Sequence, residues 1–288
     1  MTTIQKFTEQ KVRVNNIGIH VVDWGNGDLA AKMLWVHGMS GTAHYWDLVA
    51  PEFRDGYHLV CPTLRGRGDS ECAADASYDT DDYVEDMHAL VEQLGWQRFI
   101  FVGASLGGLT GIRYAMKYPD QVERLVMVDI GARVGTGEPS RPGEDRFADA
   151  PETFASPDEG WEFLRPFDLF TNLDAPARDL VVKEGFAKDD QGGWTWRYDP
   201  VIREQRRKAN ESGTLYFPDQ WDDVRQIACP TLIMRGSRSD VLSPEVARQT
   251  LEAIRDSRMV EIHDSGHLPY LEQREQFVKA LRDFLAEA

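Results

Sequence analysis

Gly103-Ala104-Ser105-Leu106-Gly107 decides the fold of this chain. The stretch follows an apolar run over residues 98–102 and precedes a helix-like segment over residues 109–118. A serine at a tight turn between a strand and a helix adopts strained backbone angles, and its neighbours must be small for the turn to close. The pattern therefore predicts a nucleophile elbow, which presents the Ser105 hydroxyl above the edge of a sheet.

The composition is that of a folded globular protein with an acidic surface. Hydrophobic residues make up 42% of the 288 residues, so we expect a large core in one main domain with an insertion. Acidic side chains number 48 against 32 basic ones, and the formal charge of −16 would repel phosphate backbones and anionic lipid surfaces. We expect no nucleic acid and no membrane as a partner.

The amino-terminal segment carries no targeting signal that we recognise. Residues 1–11 are polar and lack the apolar stretch of a signal peptide. No apolar run in the chain reaches the ~18 residues that a membrane-spanning helix requires. We therefore expect a soluble, cytoplasmic protein.

The cysteines and histidines give no sign of a disulfide framework or a metal site. Cys61, Cys72 and Cys229 are odd in number and lack Cys-x-x-Cys spacing, which favours reduced thiols. His37 and His44 lie seven residues apart in a loop, and no other cluster of histidines and carboxylates has ligand spacing. We expect no bound metal.

Short strand-like runs alternate with helical stretches along most of the chain. The first two runs flank Asn15-Asn16 and predict an antiparallel hairpin. The alternation that follows predicts a mostly parallel sheet with helices on both faces. The predicted strands are 11–15, 17–23, 32–36, 58–61, 98–102, 124–129, 231–235 and 258–263, and the predicted helices are 83–94, 109–118, 244–254 and 273–286.

This alternation breaks between residues 133 and 220, which we assign to a cap inserted over the strand ends. Residues 1–132 and 221–288 then form the core domain. Aromatic side chains cluster within the insertion, and a cap over the strand ends is where an apolar pocket would form. Trp161, Phe167 and Trp194 are our candidates for substrate-binding walls of that pocket.

A serine nucleophile needs a base, and an acid must hold that base in one tautomer. His267 lies in a loop directly after the strand-like run 258–263, where it would be delivered toward Ser105. Asp240 and Asp129 each lie at or just after the end of another strand-like run. We favour Asp240 as the acid and keep Asp129 as the alternative.

A second loop, His37-Gly38-Met39-Ser40-Gly41, follows the strand-like run 32–36. In acyl transfer two backbone N–H groups stabilise the developing oxyanion, one from the residue after the nucleophile and one from such a loop. We predict Leu106 and Met39 as these donors. His37 and Gly38 are expected to lie against the substrate.

Together these motifs resemble the α/β-hydrolase superfamily over essentially the whole chain. Residues 64–70, Leu-Arg-Gly-Arg-Gly-Asp-Ser, resemble the Arg-Gly-x-Gly-x-Ser turn after the fourth strand of that family, and residues 118–125 resemble its connection into the sixth strand. The resemblance implies an α/β fold with an eight-stranded, mostly parallel sheet, an antiparallel second strand, helices on both faces and a helical cap inserted after the sixth strand. It also implies no metal and no organic cofactor.

Two positions depart from the family pattern. Thr63 stands where the family usually has an aspartate. The acid after the seventh strand usually falls at the position of Ser239, and here the aspartate comes one residue later, at Asp240. This shift keeps Asp129 open, because relatives similar to the (acetamidomethylene)succinate hydrolases carry their acid after the sixth strand.

The resemblance implies a serine hydrolase that cleaves a small carboxylic ester or lactone through an acyl-enzyme. Ser105 argues against related dehalogenases and epoxide hydrolases, which carry aspartate at the elbow. The expected partner is a small-molecule substrate, and a homodimer is left open.

Two alternatives remain. One is cleavage of a C–C bond or amide in a carboxylated catabolic intermediate, which would need a cationic anchor. The candidate anchors in or near the cap are Arg141, Arg146, Arg165, Arg197, Arg203, Arg206 and Arg207. The other is a ligand receptor or a cofactor-free oxygenase on the same scaffold.

Overall fold

The computed structural model describes residues 7–25, 31–135, 137–138, 140, 144–145, 147–165 and 172–287. Within these residues the strands are β1 (Thr8–Val14), β2 (Ile17–Asp23), β3 (Lys32–Val36), β4 (His58–Pro62), β5 (Phe99–Ala104), β6 (Val122–Val128), β7 (Thr153–Phe154), β8 (Phe186–Lys188), β9 (Trp194–Trp196), β10 (Thr231–Gly236) and β11 (Ser257–Ile262).

The α-helices of the same residues are α1 (Thr80–Gln93), α2 (Leu106–Lys117), α3 (Pro157–Leu164), α4 (Ala175–Gly185), α5 (Pro200–Ser212), α6 (Trp221–Val224), α7 (Pro244–Ala253), α8 (Pro269–Glu272) and α9 (Arg274–Ala286). Two short 3-10 helices, Ala43–Trp46 and Ala50–Glu52, follow β3. None of the helices described is long and apolar enough to cross a membrane.

The main sheet has eight strands in the order β1-β2-β4-β3-β5-β6-β10-β11. Pairing is antiparallel between β1 and β2 and between β2 and β4, and parallel from β4 to β11. The predicted sheet with an antiparallel second strand is therefore confirmed. Asn15 and Asn16 both have positive φ, 45° and 63°, as a tight two-residue hairpin turn requires.

Continuous apolar runs form the centre of the sheet, as expected of parallel strands that helices cover on both faces. All six residues of β5 are buried. The last helix, α9, also buries an apolar face, since Phe277, Leu281 and Phe284 are each no more than 1% exposed. This buried core holds in place the strands whose carboxyl ends carry the site.

The insertion between β6 and β10 contains α3, α4, α5 and a three-stranded antiparallel sheet in the order β7-β9-β8. The sequence predicts a helical cap but not the small sheet. Its strands have only two or three residues, which is too short for a recognisable alternation of apolar and polar residues. The backbone N–H of Gln220 donates to the carbonyl of Ala132 over 2.7 Å, so the two ends of the insertion lie side by side. The boundaries at residues 133 and 220 stay predictions.

Candidate active site

Ser105 occupies the sharp turn between β5 and α2, with φ of 52° and ψ of −115°. A non-glycine residue in this region is strained and persists only where its surroundings impose it. A Cβ on Gly103 would lie 2.2 Å from the carbonyl oxygen of Gly107, and a Cβ on Gly107 would lie 2.1 Å from that of Val36. The two glycines of the pattern are thus required by backbone packing around the serine.

His267 is held by Asp129. The Nδ1 atom of His267 lies 2.7 Å from Oδ2 of Asp129, and the carboxylate is completely buried. The N–H of Gly236 donates to Oδ1 of Asp129 over 2.8 Å, and the Ser239 hydroxyl donates to Oδ2. These contacts orient the carboxylate toward the imidazole, and a carboxylate on Nδ1 leaves Nε2 as the basic nitrogen.

The preference for Asp240 as the acid is corrected by this geometry. Asp240 is exposed at the cavity wall, and no hydrogen bond joins it to His267 in the described structure. Ser239, the residue before it, contacts the carboxylate of Asp129 instead: its hydroxyl donates to Asp129 and accepts from the N–H of Leu242 over 3.0 Å. The alternative of the sequence analysis, Asp129, is the residue in contact with His267.

The predicted oxyanion donors lie on the two segments that flank Ser105. Gly38 packs directly against the serine, since a Cβ there would lie 3.3 Å from the Ser105 Cβ, and both Gly38 and Met39 line the cavity. Leu106 is the first residue of α2. The first N–H groups of a helix have no partner within it and carry partial positive charge, so the Leu106 N–H is suited to an anion.

His37 does not contact the cavity, which corrects its assignment as a substrate-binding residue. The ring is fully buried, and its Nε2 accepts a hydrogen bond from the Leu64 N–H over 2.9 Å. Its Nδ1 then donates to the carbonyl of Gly38 over 2.6 Å. Burial lowers the pKa of His37 to about 3. A neutral imidazole therefore supports the loop of residues 37–41, which carries the predicted oxyanion donor Met39.

Arg67 is a second brace of this loop that the sequence analysis did not single out. The residue is 2% exposed, and its Nε donates to the carbonyl of Met39 over 2.8 Å. Its Nη1 donates to the carbonyl of Arg65 and to the Tyr83 hydroxyl over 2.7 and 2.9 Å. In the sequence, Arg67 is the variable residue of the Arg-Gly-x-Gly turn. Because that position has no preference for arginine, the motif did not indicate a role for this side chain.

Ser105 and His267 line the same cavity of about 560 Å³ beneath the insertion, a size typical of small-molecule sites. Its described aromatic walls are Tyr45, Phe147, Tyr216, Phe217 and Tyr270. Its described charged walls are Glu138, Glu144, Asp145, Asp240 and Arg206. The lining that the structure describes thus contains four carboxylates and one guanidinium.

Arg206 is neutralised within the cavity. Its Nε lies 2.5 Å from Oδ2 of Asp145, which also accepts from the Asn210 amide over 2.9 Å. Burial raises the pKa of Asp145, but the charge and hydrogen bonds of Arg206 outweigh it and hold that pKa below its usual value. The pair is therefore ionised, and its net charge is zero.

The candidate aromatic walls are placed elsewhere. Trp161 and Trp194 do not line the cavity, and Phe167 lies outside the described residues. Trp161 packs on the inner side of α3 beneath the Arg178 guanidinium, and Trp194 belongs to β9. Trp161 is buried in the hydrophobic core and Trp194 is half-buried against it, so neither side chain forms a wall of the pocket.

Four of the candidate cationic anchors are described outside the cavity lining and have other partners. Arg165 pairs with Glu162, Arg197 with Glu184 and Asp69, Arg203 with Glu152 and the carbonyls of Ala150 and Pro151, and Arg207 with the carbonyl of Ala148. Arg141 and Arg146 lie outside the described residues. Arg206 is the one candidate in the described lining.

Comparison with known proteins agrees with this fold. The sequence pattern of the Alpha/beta hydrolase family matches residues 33–280. The chain is 28% identical to a 3-hydroxybutyrate-oligomer hydrolase of Cupriavidus necator, over 89% of this chain and 90% of that protein, and 28% identical to an esterase of Mycobacterium tuberculosis, over 95% and 88%. A crystal structure of E-2-(acetamidomethylene)succinate hydrolase superposes with a TM-score of 0.84 at 23% identity, over 98% of this chain and all of that one.

Proposed function

Because this chain belongs to the Alpha/beta hydrolase family and is a hydrolase, we propose that it is a serine hydrolase of small, uncharged carboxylic esters or lactones. Ser105 is the nucleophile, His267 the general base and acid, and Asp129 the residue that orients the imidazole. The N–H groups of Met39 and Leu106 form the oxyanion hole. The observation that carries the proposal is the 2.7 Å contact between His267 and the buried Asp129, in a cavity that Ser105 shares.

The mechanism follows from the roles of these groups. The Ser105 hydroxyl attacks the acyl carbon while Nε2 of His267 takes its proton, and the carbonyl oxygen becomes an oxyanion between the two N–H donors. The intermediate collapses as His267 gives the proton to the leaving alkoxide, which leaves an acyl-Ser105 ester. Water, activated by His267, then attacks this ester, and Ser105 departs with the proton restored.

The charge of the cavity supports an uncharged acyl group. An anionic substrate would be repelled by the carboxylates of the described lining, and Arg206 is already paired with Asp145. Esters are also the substrates that the names of two relatives imply, an esterase and an oligomer hydrolase. The same observations count against a dicarboxylate amide or a carboxylated C–C substrate.

A kinetic and a labelling experiment test the proposal together. Purified protein should hydrolyse p-nitrophenyl butyrate and react with one equivalent of a fluorophosphonate, with the added mass on the peptide that contains Ser105. Ser105→Ala should lower kcat by about 10⁴ to 10⁶ and abolish labelling. Ser140→Ala is the matched control, because Ser140 lines the same cavity.

The outcome also separates the alternatives. A receptor or a cofactor-free oxygenase would leave ester turnover at the level of Ser105→Ala. Retention of more than a tenth of the wild-type rate in Ser105→Ala would remove the serine from the mechanism.

A further inference from the structure

Glu9, His20 and His44 converge at the outer edge of the main sheet. Glu9 and His20 lie on one face of the β1–β2 hairpin, where Lys11 pairs opposite His20 and Glu9 is the diagonal neighbour. His44 comes from the 3-10 helix Ala43–Trp46. The Nε2 atom of His20 lies 3.4 Å from Oε2 of Glu9, and that of His44 lies 3.8 Å from Oε1.

Both imidazoles are oriented by hydrogen bonds on the opposite ring nitrogen. Nδ1 of His44 lies 3.0 Å from Oδ2 of Asp47, and Nδ1 of His20 lies 3.2 Å from the Thr63 hydroxyl. Partners of this kind on one nitrogen fix the tautomer and direct the lone pair of the other toward a metal. Both Nε2 atoms are thereby turned toward Glu9.

The surroundings of the two rings are negative and shielded from water. His20 and His44 are 6% and 7% exposed. Asp47 adds negative charge close to His44, and so does Glu184, which is itself paired with Arg197 and Lys183. Oδ1 of Asp47 is buried, and no group in the described residues gives it a hydrogen bond. Asp47 therefore keeps one oxygen that no described donor satisfies, beside two imidazoles whose Nε2 atoms face the Glu9 carboxylate, and this arrangement favours a bound cation.

We propose that Glu9, His20 and His44 bind one Zn²⁺ ion, with water as the fourth ligand. Tetrahedral zinc with bonds of about 2.0 to 2.1 Å places its ligand atoms roughly 3.4 Å apart, and the three ligand atoms here lie within 4.8 Å of one another. Among the described residues this is the one cluster with three such ligands at that spacing.

The proposed zinc site is structural and independent of the Ser105 cavity. None of its three ligands lines that cavity. The ion would link the β1–β2 hairpin to the segment that follows the oxyanion loop, so its binding contributes to folding rather than to the chemical step. The proposal departs from the expectation of no metal, because its ligands lie far apart in sequence and show no ligand spacing.

A zinc titration tests the proposal. Protein dialysed against chelator is titrated with Zn²⁺ in competition with a chromophoric chelator, and one equivalent should bind. Glu9→Gln should weaken binding by at least about tenfold, and Asp47→Asn by about 10- to 100-fold through the orientation of His44. Glu9 lies on an edge strand with its side chain 48% exposed, so the Glu9→Gln variant retains its fold, which circular dichroism checks.

Matched variants keep this test separate from the proposed hydrolase activity. Asp23 of β2 forms another histidine–carboxylate pair, in which its Oδ1 lies 3.1 Å from Nε2 of His58. Asp23→Asn removes this carboxylate and should bind zinc as the wild type does. Ser105→Ala and His267→Gln should also bind one equivalent. Zinc should raise the melting temperature of the wild type, and should raise that of Glu9→Gln by less at the same zinc concentration.

Three results would overturn the zinc site. These are no stoichiometric binding by the wild type, equal affinity in Glu9→Gln, and loss of binding in His267→Gln, which would place the ion in the cavity. Each can be obtained whether or not the protein hydrolyses esters.

Discussion

The guanidinium of Arg67 donates a hydrogen bond to the carbonyl oxygen of Met39, whose own N–H is a proposed oxyanion donor. The bond is 2.8 Å long and lies in a region that is almost closed to solvent. Together with the contact from His37 to the carbonyl of Gly38, it holds two consecutive peptide units of the loop. An oxyanion hole works by preorganisation, so groups that fix these peptides act on the transition state rather than on substrate binding.

Arg67→Met should therefore lower kcat for p-nitrophenyl butyrate by about 10- to 100-fold, with little change in KM, because a loosened donor is weakened rather than removed. Fluorophosphonate labelling of Ser105 should slow in parallel. The matched control is Arg203→Met, which removes another buried guanidinium that donates to backbone carbonyls, those of Ala150 and Pro151 in the insertion. If Arg67→Met lowers the melting temperature but keeps kcat within twofold of the wild type, the role of Arg67 is purely structural.

Asp129→Asn should lower kcat by at least about a hundredfold, and by up to ~10⁴, because the amide favours the wrong tautomer of His267. Asp240→Asn should cost tenfold or less, since Asp240 is exposed and no described hydrogen bond joins it to the imidazole. Steady-state kinetics on both variants at one pH decide between the two aspartates. The reverse ordering would return the acid to the loop after β10.

The scaffold was predictable because its signals are local. The elbow around Ser105 is set by five adjacent residues, and β2 and β3 are found over the residues that their apolar patterns predict. His267 and Met39 follow from the rule that loops at the carboxyl ends of parallel strands meet at one edge. Each of these inferences needs only a short window of sequence.

The acid and the pocket walls could not be predicted because they depend on how distant segments meet. Asp129 and Asp240 each follow a strand that ends at the active edge of the sheet. Which carboxylate reaches His267 depends on the conformation of the loop that carries it. In the loop after β10, Ser239 contacts the Asp129 carboxylate. The walls Phe147 and Tyr216 come from an insertion without regular periodicity. Glu9 and His44 lie 35 positions apart in the chain, so a search by ligand spacing does not connect them.

His37 should make the protein lose stability in mild acid. Burial holds its pKa at about 3 in the folded state, against an ordinary value near 6.5. Between these two pH values His37 is protonated in the unfolded chain but not in the folded chain. The free energy of unfolding therefore falls as the pH falls through this window. The contribution of one such group is about 1.4 kcal/mol per pH unit.

Urea denaturation of the wild type and His37→Gln between pH 5.5 and 4.0 measures this effect. The variant should be less stable at neutral pH, and its stability should fall less steeply by about 1.4 kcal/mol per pH unit. His263→Gln is the control, because it removes an exposed imidazole instead of a buried one. Parallel slopes for wild type and His37→Gln would show that His37 is protonated in the folded protein.

Asp145→Asn should turn the cavity toward anionic substrates. The substitution preserves the size of the side chain but removes the charge that neutralises Arg206, whose Nε now lies 2.5 Å from Oδ2 of Asp145. The ratio of kcat/KM for p-nitrophenyl hemisuccinate to that for p-nitrophenyl butyrate should rise by about tenfold, equivalent to ~1.4 kcal/mol of differential binding. Asp240→Asn removes one carboxylate from the same cavity without releasing an arginine, and should raise the ratio by less. Equal changes in the two variants would mean that only the net charge of the cavity matters, and an unchanged ratio would mean that the acyl group does not approach Arg206.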